Sequence, residues 1–100
     1  MRPEDIAKGV GESVALFYEG LGQYDKKNYA KAVEIRTKAA GRPVVIPDIR
    51  YQLGICYEGG RGVRQDFKKA VGWYQKAAEQ GNADAAKALD ALRKGNEEMR

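Results

Sequence analysis

A chain of 100 residues has room for one small domain with one modest core. At 43% hydrophobic and 32% charged it is too apolar for a disordered segment, and no apolar run approaches the roughly 20 residues that span a bilayer. One cysteine and no histidine exclude an internal disulfide, the usual Cys/His zinc site and histidine-based acid–base catalysis; the net charge of +4 reads first as solvated basic surface and second as contact with an acidic partner.

The N-terminus carries acids where a signal peptide would be basic, and it lacks a hydrophobic segment. A cytoplasmic location is therefore expected, or a periplasmic one if a signal peptide has been removed. Residues 3–21 are expected to form the first helix. Pro3 suits a first helical turn, and Glu4 and Asp5 suit the positive end of the macrodipole. Ile6, Val10, Val14, Phe17, Tyr18 and Leu21 form its expected apolar stripe, with fraying around Gly9 and Gly11. Residues 20–27 read as a turn, after which Asn28 caps a second helix reaching about Ala40.

Gly41, Pro43 and Pro47 break the chain between this hairpin and the next. Val44, Val45 and Ile46 are expected to run extended over the hairpin seam, an exposed docking patch being the alternative. Pro47 and Asp48 then open a third helix, with Ile49, Leu53, Cys56 and Tyr57 on one face. Gly54 lies beside them and implies close approach of another helix, because a helical glycine otherwise costs about 1 kcal/mol. Gly59-Gly60-Arg61-Gly62 ends this helix, and Asp66 caps a fourth whose stripe is Phe67, Ala70, Val71, Tyr74, Ala77 and Ala78. Trp73 lies beside that stripe and is expected to cover the seam between repeats. After Gly81, Asn82 caps a final helix with Ala85, Ala86, Leu89 and Leu92 on one side, and residues 94–100 read as a frayed end.

The hairpins are copies. Residues 29–40 parallel residues 67–78 at an offset of 38, and Tyr18-Glu19-Gly20 parallels Tyr57-Glu58-Gly59 at an offset of 39, making the first turn one residue longer. A period near 40 residues of paired helices means an α-solenoid. The expected fold is all-α: two antiparallel helix hairpins plus a C-terminal capping helix. It forms one domain over residues 3–94, with repeats at about 3–41 and 47–81 and the cap at about 82–94.

Tyr51, Leu53, Gly54, Tyr57, Gly60, Gly62, Val63, Asp66, Lys69, Ala70, Trp73, Lys76, Ala77, Ala78 and Gly81 closely resemble the pattern of the Sel-one-like repeat family, relatives of the tetratricopeptide repeats. The first copy is weaker. It keeps Tyr18, Lys31, Ala32, Lys38, Ala39 and Ala40, with Ala15 for the glycine and Ile35 for the tryptophan. The resemblance implies a right-handed superhelix that acts as a non-catalytic protein-interaction scaffold, with a bacterial source expected for so small a stack. An adaptor, a regulator or an immunity protein that occludes its partner fits it.

No catalytic constellation, metal site or cofactor site is expected. Glu19 and Glu58 stand at equivalent repeat positions, but nothing around them suggests the desolvated setting that acid–base work needs. Gly59-Gly60-Arg61-Gly62 lacks the spacing and the preceding strand of a phosphate loop. Cys56 falls on the packed stripe, as an inert core residue does. In this architecture the first helix of each pair lines the concave surface. The expected partner-binding residues there are Glu12, Leu16, Glu19, Asp48, Tyr51, Ile55, Glu58 and Lys87, with Leu16, Tyr51 and Ile55 as apolar anchors. The partner is another protein or an extended peptide. Nucleic acid is not expected, since no arginine-rich tract or stacked aromatic platform is present. Nor is a membrane; the chain is read as a monomer or weak homodimer. The alternatives are self-association through Leu89 and Leu92, or an accessory role in an enzyme complex.

Overall fold

A computed structural model describes residues 2–98. Five helices follow in order: α1 (Pro3–Asp25), α2 (Tyr29–Ala40), α3 (Pro47–Gly59), α4 (Phe67–Glu79) and α5 (Ala83–Glu98). Each packs on its neighbour in sequence, and no strand forms among the described residues. The result is an all-α superhelix of two hairpins with α5 laid on α4, 52 Å in its longest dimension. No helix among the described residues is long and apolar enough to cross a membrane.

The second hairpin follows the sequence reading closely. Pro47 opens α3, and Gly60 closes it in the left-handed conformation at φ 68°. The Asp66 carboxylate accepts a hydrogen bond from the Lys69 backbone N–H at 3.0 Å, satisfying a donor that the first turn of α4 would otherwise leave unpaired. Asn82 does the same for Ala85 at 2.8 Å. Gly54 faces the ring of Tyr74, and a methyl group at Gly54 would overlap that ring. This close approach offsets the helical penalty of glycine.

Two clusters make the core. The first joins Val33 and Ala39 of α2 to Ile49, Leu53 and Cys56 of α3, with Leu16, Phe17 and Trp73 packed against it. The second joins Ala70, Tyr74 and Ala77 of α4 to Ala85 and Leu89 of α5. The connector is packed. Ile46 lies against the first cluster, the Val44 carbonyl accepts from Ser13 Oγ at 2.5 Å, and the Val45 carbonyl accepts from Gln80 Nε2 at 3.1 Å. The glycine-rich turn of the second hairpin folds back over the first. Gly62, at φ 77°, sits so close to the Tyr29 carbonyl that no side chain fits, and Val63 enters the first cluster.

The first hairpin departs from expectation. Residues 20–22 are helical, and α1 continues to Asp25. The turn is only residues 26–28, with Lys27 taking the left-handed conformation at φ 65°. It is therefore shorter than the turn at residues 60–66, not longer. The helix passes through Gly9 and Gly11 unbroken. Asn28 stands at the N-cap of α2 without a side-chain cap bond; its amide donates to Gln23 Oε1 instead, at 3.0 Å.

The apolar stripe of α1 is also turned. Val10, Val14 and Tyr18 are 44%, 39% and 65% exposed, while Ser13 and Gly20 are buried. The Ile6 side chain lies outside the described residues. Two pairs of contacts explain the rotation. Gly20 packs against Arg36 as Gly54 packs against Tyr74, and Tyr24 stacks on Arg36 where Glu58 meets Tyr74. Arg36 and Tyr74 are 38 positions apart, but Gly20 and Gly54 are only 34 apart. The short turn thus slips α1 by five residues from the 39-residue offset of the two Tyr-Glu-Gly triplets, which are not structurally equivalent. Elsewhere, Phe67 is 53% exposed and Ala86 is exposed, so neither joins its expected stripe. α5 runs on through Gly95 to Glu98, where a frayed end is expected; Met99 and Arg100 lie outside the described residues.

Candidate binding groove

Two adjoining cavities lie along the first helices of the repeats. One, of about 400 Å³, is lined by Leu21, Tyr24 and Asp25 of α1, Arg36 of α2, Asp48, Tyr51, Gln52 and Ile55 of α3, and Asp84 of α5. The other, of about 550 Å³, is lined by Tyr51, Ile55, Glu58 and Arg61 with Tyr74, Ala88, Ala91 and Leu92. Tyr51 and Ile55 belong to both. Their positions follow from the spacing on α3. Ile49, Leu53 and Cys56 turn into the first core cluster, which leaves Tyr51 and Ile55 half-buried between the second cluster and the open groove.

Four expected residues thus line the cavities from α3: Asp48, Tyr51, Ile55 and Glu58. Glu58 Oε1 accepts from the Tyr74 hydroxyl at 2.8 Å, so this carboxylate is tied to the core. Burial, and then that hydrogen bond, push the Tyr74 phenol well above its usual range. The Asp48 carboxylate accepts from Asn82 Nδ2 at 2.9 Å, which ties the start of α3 to the start of α5.

The other four lie elsewhere. Leu16 packs against the first core cluster, Glu12 pairs with Arg42, and Glu19 is exposed on α1. Lys87 is exposed on α5. Among the described residues none of these lines either cavity. The slip of α1 is the cause for the first three. It brings Leu21, Tyr24 and Asp25 to the groove, and Val10, Val14 and Tyr18 continue the Leu21–Asp25 stripe at spacings of three and four. The signal was present in the sequence, because Tyr24 and Arg36 exchange an aromatic and a charged residue with Glu58 and Tyr74.

Arg36 is the least expected member of the groove. It is only 3% exposed, and no carboxylate pairs with it among the described residues. Its guanidinium lies 4.9 Å from the Tyr24 ring centroid, and Nη1 donates to Cys56 Sγ at 3.6 Å, while Nε has no partner. Burial raises the Cys56 thiol above its ordinary value, with Arg36 acting in the opposite direction. Cys56 is thus a buried core residue in a setting that disfavours its thiolate.

A family model described as Sel1 repeat matches residues 9–41 and 48–82. The chain is similar to a Sel1 repeat protein from Oxalobacter formigenes of known crystal structure, with a TM-score of 0.66 and 30% identity over 92% of this chain and 37% of that one. Over 43 residues it is 49% identical to the DAP3-binding cell death enhancer 1 of Rattus norvegicus and 46% identical to that of Mus musculus. Those matches cover 43% of this chain and 8% of each curated relative. With both hairpins matched and the superhelix shared, the chain belongs to the Sel1 repeat family.

Proposed function

We propose that the groove over Tyr51 and Ile55 binds an extended segment of another protein, without catalysis, and that the chain serves as an adaptor or regulator. Sel1 repeats are generally protein–protein interaction modules, which supports the class. The observation that carries the reading is the joining of two cavities across two half-buried apolar side chains, Tyr51 and Ile55, with Asp25, Asp48, Asp84, Glu58 and Arg61 among the residues around them. Apolar anchors of this kind, set in a polar rim, account for most of the energy in protein interfaces. The test compares capture of partners from the native host by the chain and by the double variant Tyr51→Ala, Ile55→Glu, with helical circular dichroism confirming its fold. Loss of specific partners is expected; undiminished recovery by the folded variant defeats the groove.

A self-association reading draws on a third cavity, of about 460 Å³, between α4 and α5. Phe67, Val71, Leu89 and Leu92 line it, and Phe67 is largely exposed. Light scattering decides this reading, because a monomer whose mass does not change with concentration removes it.

A further inference from the structure

We propose that the segment held in the groove is basic: a lysine or arginine enters the cavity between α1, α3 and α5, and its peptide group meets Arg36 and Gln52. The inference rests on the groove reading and adds the chemistry of the occupant.

Charge is the first support. The chain carries +4 overall, yet this cavity is lined by Asp25, Asp48 and Asp84 against one buried cation. Among the described residues none of the three carboxylates has an ion-pair partner. Asp48 and Asp84 lie in the first turns of their helices, where the macrodipole favours an acid. Asp25 has no such reason. It is the last residue of α1, where unpaired carbonyls already concentrate negative potential. An incoming cation relieves that arrangement. Leu21, Tyr51 and Ile55 offer an apolar floor for the methylene stem of a lysine or arginine whose charge stays at the rim.

The second support is independent of charge. Arg36 Nε is a buried donor without a partner, and Gln52 Oε1 is a buried acceptor without one; both residues line this cavity. Buried polar groups are nearly always hydrogen-bonded, so an unmatched donor and acceptor at one site ask for a ligand that carries both. A peptide group does, with its C=O for Arg36 and its N–H for Gln52. Arg36 is one cation against three carboxylates, and those carboxylates lie exposed at the rim, so the cavity keeps a net negative charge toward an incoming cation. Beyond the cavity, exposed Val10, Val14 and Tyr18 extend the groove along α1 as an apolar ledge for flanking aliphatic or aromatic residues.

The test uses three fluorescent peptides of about ten residues, the length that an extended segment needs to cross such a groove. They are identical, with leucines outside, except for two central positions that carry lysine, glutamine or glutamate. Affinity is read by anisotropy and location by amide shifts of the isotopically labelled protein. The lysine peptide is expected to bind on the order of tenfold more tightly than the glutamine peptide and the glutamate peptide least, with the difference shrinking between roughly 50 and 500 mM salt. Asp25→Asn with Asp48→Asn should remove most of the lysine preference and leave the glutamine peptide unaffected. Equal affinities with shifts at Tyr51 and Ile55 overturn the basic occupant and keep the groove. Shifts confined to other surfaces overturn both. Failure of all three peptides to bind overturns the basic occupant, and the capture experiment then judges the groove separately.

Discussion

The phenol ring of Tyr74 rests on the bare Cα of Gly54, and its hydroxyl reaches on to Glu58 at 2.8 Å, one turn further along α3. One side chain therefore sets both the distance between the helices of the second hairpin and their register. Its burial is nearly complete, so it has no room to swing aside.

Gly54→Ala should consequently destabilise the protein although alanine is the better helix former. The overlap with the Tyr74 ring puts overpacking at the upper end of its usual range, about 2–3 kcal/mol, and the propensity gain returns about 1, which leaves a net loss of roughly 1–2 kcal/mol. Thermal denaturation should show Tm lowered by about 5–15 °C. Gly72→Ala in α4 is the control, since open space surrounds Gly72, and it should raise stability by about 0.5–1 kcal/mol.

Gly60→Ala and Gly62→Ala should differ widely despite similar backbone angles, φ 68° and 77°. Both pay about 1–2 kcal/mol for a side chain in the left-handed region. At Gly60 the nearest atoms to a new methyl are the Gln65 Cβ and backbone N, at 3.3 and 3.4 Å, which belong to the same turn and need give by only a few tenths of an ångström. At Gly62 it is the backbone of α2 at Tyr29, which cannot shift without parting the two hairpins. Urea denaturation should place Gly62→Ala at a loss of about 3 kcal/mol or more, at least twice that of Gly60→Ala.

Alkali should destabilise the fold through Tyr74 and Cys56. Burial raises both groups above their ordinary values of 10.0 and 9.0. The folded state thus holds protons that the unfolded chain releases. The stability they contribute is complete below pH 9 and falls as pH rises through the unfolded values and beyond. A phenolate titration should show Tyr74 ionising only as helical circular dichroism is lost. Tyr74→Phe should flatten the loss of stability above about pH 10. Ionisation of all six tyrosines ahead of unfolding would refute this account of Tyr74.

Arg36→Met should leave stability unchanged or raise it. A buried cation without a carboxylate partner is costly, and apolar replacement of buried charge is often neutral or stabilising by about 1–4 kcal/mol. Loss of the stacking on Tyr24 offsets about 0.5–2 kcal/mol of that gain. The same variant should weaken binding of all three peptides, because the carbonyl that Arg36 meets is common to them. Together, calorimetry and anisotropy would show Arg36 kept for binding at the expense of stability. A loss of more than about 3 kcal/mol would instead make it a structural residue.

Much of this was legible in the sequence, and the second hairpin most of all. There the glycines, the Asp66 cap and the Ile49–Leu53–Cys56 stripe each had one local solution. The groove residues of α1 were misread through the alignment of Tyr18-Glu19-Gly20 with Tyr57-Glu58-Gly59, and its core stripe through apolar spacing alone. Local similarity favoured that register, but the packing of Gly20 on Arg36 decided another. The packing of Gly20 on Arg36 turns Val10, Val14 and Tyr18 of that stripe to the surface and Leu16 toward the core, while Phe17 keeps its place there. The groove residues on α3 were accessible from spacing alone. Those on α1, together with Arg36, depended on a turn length that composition does not determine.

The seat of Gly62 and Val63 on the first hairpin has one more consequence. The glycine-rich turn belongs by sequence to the second repeat, yet Gly62 sits against the Tyr29 backbone of the first, and Val63 packs on a cluster that both hairpins share. The sequence period therefore marks where the pattern recurs and not where the molecule could be divided. Cleaving the chain at the connector would uncover the apolar face of α2 on one fragment and the matching face of α3 on the other. The first core cluster takes residues from both hairpins, so an excised repeat is a poor stand-in for the whole.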